Sequence, residues 1–202
     1  MKLFYKAGAC SLASHIALIE TGIPFEIEAV DDTAGLTAKG SDYTTINPKG
    51  YVPALQFDDG EVLTEGPAIL QFLADAHPNA GLIPPVGTMD RARVIEQLVF
   101  VSSELHKAFS ALFRDGASET ETAQARAAVK QKFNVVEEFL SDGRQTLVNG
   151  QFTVADAYLF VVANWANFKD IDLQNWPHLA GFVTRVSERP AVQQALRAEG
   201  LL

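Results

Sequence analysis

An α/β domain followed by an all-helical one is the architecture this sequence predicts, and three observations carry it. Residues 1–77 alternate strand and helix patterns. Residues 78–89 are punctuated by Pro78, Gly81, Pro84, Pro85 and Gly87. From 90 to 202 helical periodicity dominates and nothing reads as a strand. The expected organisation is therefore a first domain at 1–77, a linker at 78–89 and an all-α domain at 90–202.

Taken in order, Lys2-Leu3-Phe4-Tyr5 reads as a first strand. Ala7 to Ser11 forms a turn, and Leu12, Ile16 and Ile19 recur at helical spacing until Gly22 stops the run. Phe25, Ile27 and Ala29 alternate with Glu26 and Glu28 as a second strand, which completes a βαβ unit with parallel pairing. A loose polar segment, 31–45, leads to the hairpin Ala54–Phe57, Asp58-Asp59-Gly60, Val62-Leu63. Thr64 is the expected cap of the next helix, and Pro67 suits its first turn, where a missing N–H is unpaired anyway.

In the second half, Ile95, Leu98, Val99, Ser102 and Leu105 fit one long helix, and Ala125 to Leu140 fits another with Val129, Phe133, Val136 and Leu140 on one face. Thr153-Val154-Ala155-Asp156 is close to a capping box, with Asp156 able to reach back to the first N–H groups of an apolar helix. Two short helices, around 179–188 and 191–198, finish the chain.

The formal net charge of −9 argues against nucleic acid, whose phosphates require a basic footprint. No apolar run approaches the roughly 20 residues of a membrane span, and the N-terminus lacks a signal-peptide core. One cysteine cannot close an internal disulfide, so the expectation is a cytoplasmic protein without membrane or nucleic-acid partners. No histidine or cysteine cluster has metal-ligand spacing, and no glycine-rich loop matches a nucleotide motif, so neither a metal nor a nucleotide is expected.

The chemistry centres on Asn47 to Gly66, NPKGYVPALQFDDGEVLTEG. A turn at Pro53 leaves the N–H and C=O of Val52 facing outward, able to pair with an extended peptide. The N–H groups beside Gly66, at a helix start, attract a carboxylate, and Glu65 can hold an ammonium. Carboxylate, ammonium and peptide backbone within a few residues describe an amino-acid-like end of a short peptide. Cys10, the single thiol, sits at a helix N-terminus, where the thiolate is favoured.

NPKGYVPAL followed by LTEG, together with GACS near the N-terminus and SELHK in the middle, resembles the bacterial beta-class glutathione S-transferases along the whole chain. The resemblance implies the glutathione transferase fold, a thioredoxin-like domain with a helical bundle domain, and usually a homodimer. It implies glutathione as co-substrate and catalytic roles for Cys10 and His106. Cys10 would hydrogen-bond the glutathione sulfur or form a mixed disulfide with it. Ser11, Val52, Pro53, Glu65, Gly66 and Ser103 would complete the glutathione site, and Phe109 and Phe113 would line the electrophile pocket. Tyr5 is a packing residue on this reading, because its companions match the cysteine-bearing class.

Two positions depart from the family. Gly35 stands where a lysine commonly meets the glycine-end carboxylate of glutathione, with Lys39 the nearest cation, and Val99 stands where an asparagine commonly contacts the γ-glutamyl end across the dimer. These departures are the support for a second class of function, a non-catalytic ligand- or partner-binding protein that retains the fold.

Overall fold

The computed structural model describes all 202 residues. Its first strand, β1 (Lys2–Tyr5), lies at the centre of a five-stranded sheet. Leu3 and Phe4 point to opposite faces and are 0% and 2% exposed, so both faces are covered. Helix α1 (Ser11–Thr21) crosses over to β2 (Glu26–Asp31), which pairs parallel to β1 with Leu3 opposite Ile27. Gly22 ends α1 at φ 71°, a left-handed conformation in which its N–H returns to the Ile19 carbonyl. The hairpin β4 (Ala54–Gln56) and β5 (Val62–Thr64) adds antiparallel on the other side of β1. The sheet order is β3-β2-β1-β4-β5, with the short β3 (Leu36–Thr37) at one edge.

The edge strand β3 (Leu36–Thr37) lies inside the segment expected to be loose. Two residues are too short to show an alternation, which is why the sequence hid it. Helix α2 (Gly66–Ala76) follows β5 and buries Ile69, Leu70, Leu73 and Ala74. Its cap position belongs to Glu65 and not to Thr64, because Thr64 still pairs with Ala54 in the hairpin.

The chain forms two compact units, Met1–Ile83 with Glu188–Leu202, and Pro84–Ser187. Residues 188–202, read from the sequence as the end of the 90–202 domain, are grouped with the first unit. Helix α9, Pro190–Ala198, packs on α1 through Ala191, Val192, Ala195 and Leu196. Beyond it Glu199, 7% exposed, accepts from the Gly8 N–H at 3.0 Å and meets His15 Nδ1 at 2.9 Å. Arg189 grips Glu20 of α1 at 2.8 Å. Apolar periodicity reveals that a helix has a face to bury and is silent about its partner.

The second unit is helical. Helix α3 (Met89–Phe100) is capped by Thr88, whose hydroxyl accepts from the Arg91 N–H at 3.2 Å. It does not run on as one regular helix: Val101–Leu105 is a π-helical turn, in which the His106 N–H reaches the Val101 carbonyl five residues back. Short helices α4 (His106–Ala108) and α5 (Ser110–Phe113) follow, then the long α6 (Glu119–Leu140). The latter buries Val129, Phe133, Val136 and Leu140, the face its spacing predicts. Helix α7 (Val154–Phe168) is buried at every residue from Val154 to Ala163, and packs against α3 and α8 (Pro177–Ser187). A helix apolar all round belongs at the centre of its domain.

The first turn of α7 is tied down by one buried acid. Asp156 accepts from the Thr153 N–H at 2.8 Å and the Thr153 hydroxyl at 2.7 Å, and also from the Leu147 N–H at 2.7 Å. Its reach to Thr153 is the capping arrangement the sequence predicts; the bond to Leu147, nine residues upstream, fastens the preceding loop as well. Burial pushes the Asp156 carboxyl above its usual range, against the pull of these donors.

Candidate active site

In the sheet unit the candidate site begins where β1 stops. Ser11 closes the turn that follows: its buried hydroxyl accepts from the Lys6 N–H and donates to the Lys6 carbonyl, both at 3.2 Å. Ser11 thereby sets the position of its neighbour Cys10, and its hydroxyl is engaged with backbone on both counts. The half-buried Cys10 thiol, at the first turn of α1, donates to the Val52 carbonyl at 3.5 Å.

The Val52–Pro53 peptide is cis. Pro53 itself is buried and shapes the edge from below, whereas Val52 is half-buried at the rim. The preceding carbonyl, of Tyr51, is held from the interior by the Tyr43 hydroxyl at 3.2 Å and the Asn47 amide at 2.6 Å. Burial pushes the Tyr43 hydroxyl up to about 12, so it is a proton donor at any ordinary pH. Anchoring the Tyr51 carbonyl inward fixes the approach to Val52, whose own carbonyl meets Cys10 and whose side chain packs against the cluster of Phe4, Val30, Tyr43 and Ala54.

The hairpin register brings the other half of this corner alongside. Ala54 pairs with Thr64, so continuing the antiparallel ladder carries Pro53 and Val52 to the level of Glu65 and Gly66. Glu65 has φ 71° and ψ 115°, a conformation that L residues rarely adopt and that costs of order 1–3 kcal/mol. Its carbonyl caps α2 by accepting from the Ala68 and Ile69 N–H groups at 3.0 Å. Its carboxylate receives the Lys49 ammonium at 2.5 Å and the Tyr51 hydroxyl at 3.3 Å. Lys49 and Tyr51 were not singled out from the sequence. Their separations from Glu65, 16 and 14 residues, become contacts only through the hairpin.

The neighbouring candidates fall outside this corner's chemistry. Burial, and then the charge of Glu199, push the Tyr5 hydroxyl up, which suits a packing residue and not a thiol activator. Gly35 lies at φ +70° in the turn between β2 and β3, and Lys39 is turned toward Glu28 at 3.7 Å.

The helical unit builds a second setting around His106. The ring follows directly on the π turn, where the Val99 carbonyl accepts from both the Ser102 and Ser103 hydroxyls, at 3.0 and 2.9 Å. Ser103 is thus exposed with its hydroxyl turned back onto its own helix. The buried stripe runs through Val94, Leu98, Val101, Leu105 and Phe109, at steps of three and four residues, and Val99 lies off it, 54% exposed.

His106 is held by α7. Its Nδ1 lies 2.8 Å from the Tyr158 hydroxyl, and its ring meets Trp165 edge-on at 4.8 Å between centroids. Tyr158 and Trp165 are seven residues apart, two turns of helix, and so present to the same side. Burial lowers the His106 pKa to about 4, with the adjacent Lys107 charge a lesser cause. The imidazole is therefore neutral near pH 7. Sequence reasoning reached His106 but missed Tyr158 as its partner, since 52 residues separate them and nothing in an apolar helix pattern marks one tyrosine as polar in function.

Of the two aromatic residues expected to line an electrophile pocket, Phe109 is 0% exposed, packed among Phe133, Trp165 and Phe113. It is a core residue: it keeps αR geometry and follows the buried Leu105 by four residues, so it continues the buried face of the preceding turn. Phe113, 47% exposed, has ring surface to offer, with the Lys169 ammonium 4.1 Å from its centroid. No group of three or more His, Cys, Asp or Glu side chains is arranged to hold a metal ion, and no helix is long and apolar enough to cross a membrane.

Comparison with known proteins converges on one family. Residues 7–76 match the family described as glutathione S-transferase, N-terminal domain, and residues 100–190 match glutathione S-transferase, C-terminal domain. The chain is 48% identical over 201 residues to glutathione S-transferase GstA of Escherichia coli O157:H7, covering 100% of both. Among solved structures, a bacterial beta-class glutathione S-transferase of Sphingomonas chungbukensis is 46% identical with a TM-score of 0.97, over the full length of both chains. A sphingomonad glutathione S-transferase complexed with glutathione is 46% identical with a TM-score of 0.95, again over 100% of both. With its thioredoxin-like sheet, its helical unit and its GACS and NPKGYVPAL motifs, this chain belongs to the glutathione S-transferase family, in the bacterial beta class.

Proposed function

We propose that this protein conjugates the thiol of glutathione to small hydrophobic electrophiles. The observation that carries the reading is the corner where the Cys10 thiol meets the Val52 carbonyl at 3.5 Å, at the cis Val52–Pro53 peptide and the rim of the hairpin. Glutathione, whose complex with a full-length structural relative is known, has the matching chemistry: a tripeptide backbone, an α-ammonium and two carboxylates. The backbone would pair with Val52 and the ammonium would meet Glu65. A carboxylate would take the Gly66 N–H at the start of α2. His106 would serve the sulfur as a hydrogen-bond partner, since an imidazole with a pKa of about 4 is a weak base for a thiol at neutral pH. Phe113 would offer an aromatic surface to the electrophile. The protein acts in the cytoplasm as a homodimer on this reading, with glutathione as its co-substrate and no metal.

Cys10 supports a second activity at the same site. Its thiolate attacks the glutathionyl sulfur of a mixed disulfide, releasing the other thiol as thiolate and leaving Cys10 bonded to glutathione. A second glutathione thiolate then displaces Cys10, giving oxidised glutathione.

Calorimetric titration with reduced glutathione near neutral pH tests the reading, with saturable binding at one site per chain expected. Absence of heat at several temperatures would overturn it. In Cys10→Ala, conjugation of an aryl halide should survive at least in part while disulfide reduction is lost; loss of both would make the thiol essential to conjugation as well.

A further inference from the structure

We infer that Tyr158 is a positioning residue for His106: its phenol donates to Nδ1 and so keeps the imidazole proton on Nε2, offering the glutathione sulfur an N–H donor and not a lone pair. The inference rests on the function proposed above and specifies how His106 performs it.

A neutral imidazole carries one proton, and the hydrogen bond at one nitrogen decides what the other presents. The Tyr158 hydroxyl and His106 Nδ1 are 2.8 Å apart, so one of them donates. The phenol is the donor because a phenol O–H is much the more acidic group, whereas a neutral imidazole gives up its N–H only in far stronger base. With Nδ1 accepting, Nε2 bears the hydrogen, and Nε2 makes no hydrogen bond within the protein.

The surroundings fix the ring as well as its tautomer. Tyr158 is 3% exposed on the most deeply buried helix of its unit, so its hydroxyl has little freedom to turn away. The Trp165 edge contact, at 76° between ring planes, restrains rotation of the imidazole about its own bond to Cβ. A thiolate needs donors and an imidazole base needs a free lone pair, and the two roles exclude each other in one tautomer. The Tyr158 bond selects the first.

The test has two arms. Long-range proton–nitrogen spectra of ¹⁵N-labelled protein at pH 7, without glutathione, read the tautomer directly, with His106→Gln identifying the signal among the four histidines. An unprotonated Nδ1 and a protonated Nε2 are expected; a protonated Nδ1 overturns the inference. In Tyr158→Phe, which keeps the ring and removes only the hydroxyl, the His106 signals should move toward a mixture of tautomers. The ultraviolet thiolate titration of bound glutathione should shift to higher pH, and kcat should fall by about ten-fold, with glutathione affinity within two-fold of the parent. An unmoved tautomer, or a moved tautomer with an unmoved thiolate midpoint, overturns the role. If the parent fails to bind glutathione, the proposed function falls while the first arm still decides the hydrogen bond.

Discussion

The thiol corner and the histidine setting are built in opposite ways. At the corner, β1, α1 and the hairpin put Cys10, Val52, Glu65 and Gly66 at the ends of short, sequence-marked elements. Around His106, the ring's partners arrive from a helix half a domain away, and a π turn immediately precedes the ring. Strand ends and turns use residues that announce themselves, glycine, proline and acids in fixed order. A helical bundle instead exploits which face of one helix meets another, and that information is spread over the whole unit.

If this contrast holds, the helical unit should depend most on long-range polar ties. Asp156→Ala leaves the Leu147 and Thr153 N–H groups buried without their acceptor, and should lower stability by about 3 kcal/mol. A capping residue acting only on its own helix is worth about 0.5–2 kcal/mol. Urea unfolding of the variant distinguishes them: a loss near 1 kcal/mol would mean that the loop tie to Leu147 contributes little.

Acid should act on the same unit through His106. Its folded-state pKa of about 4 lies below the unfolded value near 6.5, so between these values the unfolded chain binds more protons. Stability therefore rises with pH across that window, and falls on acidification by an amount on the order of 3 kcal/mol at most. Urea midpoints at pH 7, 5.5 and 4.5 measure it, and His106→Gln should flatten the dependence. An equally steep curve in that variant would assign the acid sensitivity to other groups.

The smallest expected effect belongs to the sheet unit. Gly35→Lys should tighten glutathione binding by supplying a cation for the glycine-end carboxylate. It should also lower stability by roughly 1–2 kcal/mol, because Gly35 occupies φ +70°. Calorimetry and thermal unfolding of the same preparation separate the two, and an unchanged dissociation constant would show that this turn does not face the carboxylate.

The contrast also explains what the sequence revealed. The βαβ unit, the hairpin, Cys10 and the Glu65-Gly66 corner were legible because each is written within a dozen residues. The face of α6 was legible because 3.6-residue periodicity repeats over its length. Ser11's clamp on Lys6, the strained Glu65 backbone and the Lys49 and Tyr51 contacts were not, since they depend on backbone angles and on pairing across the hairpin. Phe109 and Phe113 looked equivalent by spacing; Phe109 continues the buried face of Leu105, whereas Phe113 is the last residue of α5, where the chain turns extended at Arg114, and is left half exposed.

The docking of α9 on α1 has a consequence for synthesis. The first unit is interrupted by about a hundred residues, so its α1 face and the buried His15 wait for Glu199 while the entire helical unit is translated. At about 5–20 residues per second, that interval lasts roughly 5–20 s. The part of the chain made first is thus among the last to be closed, and for those seconds an apolar helix face stands open on the ribosome.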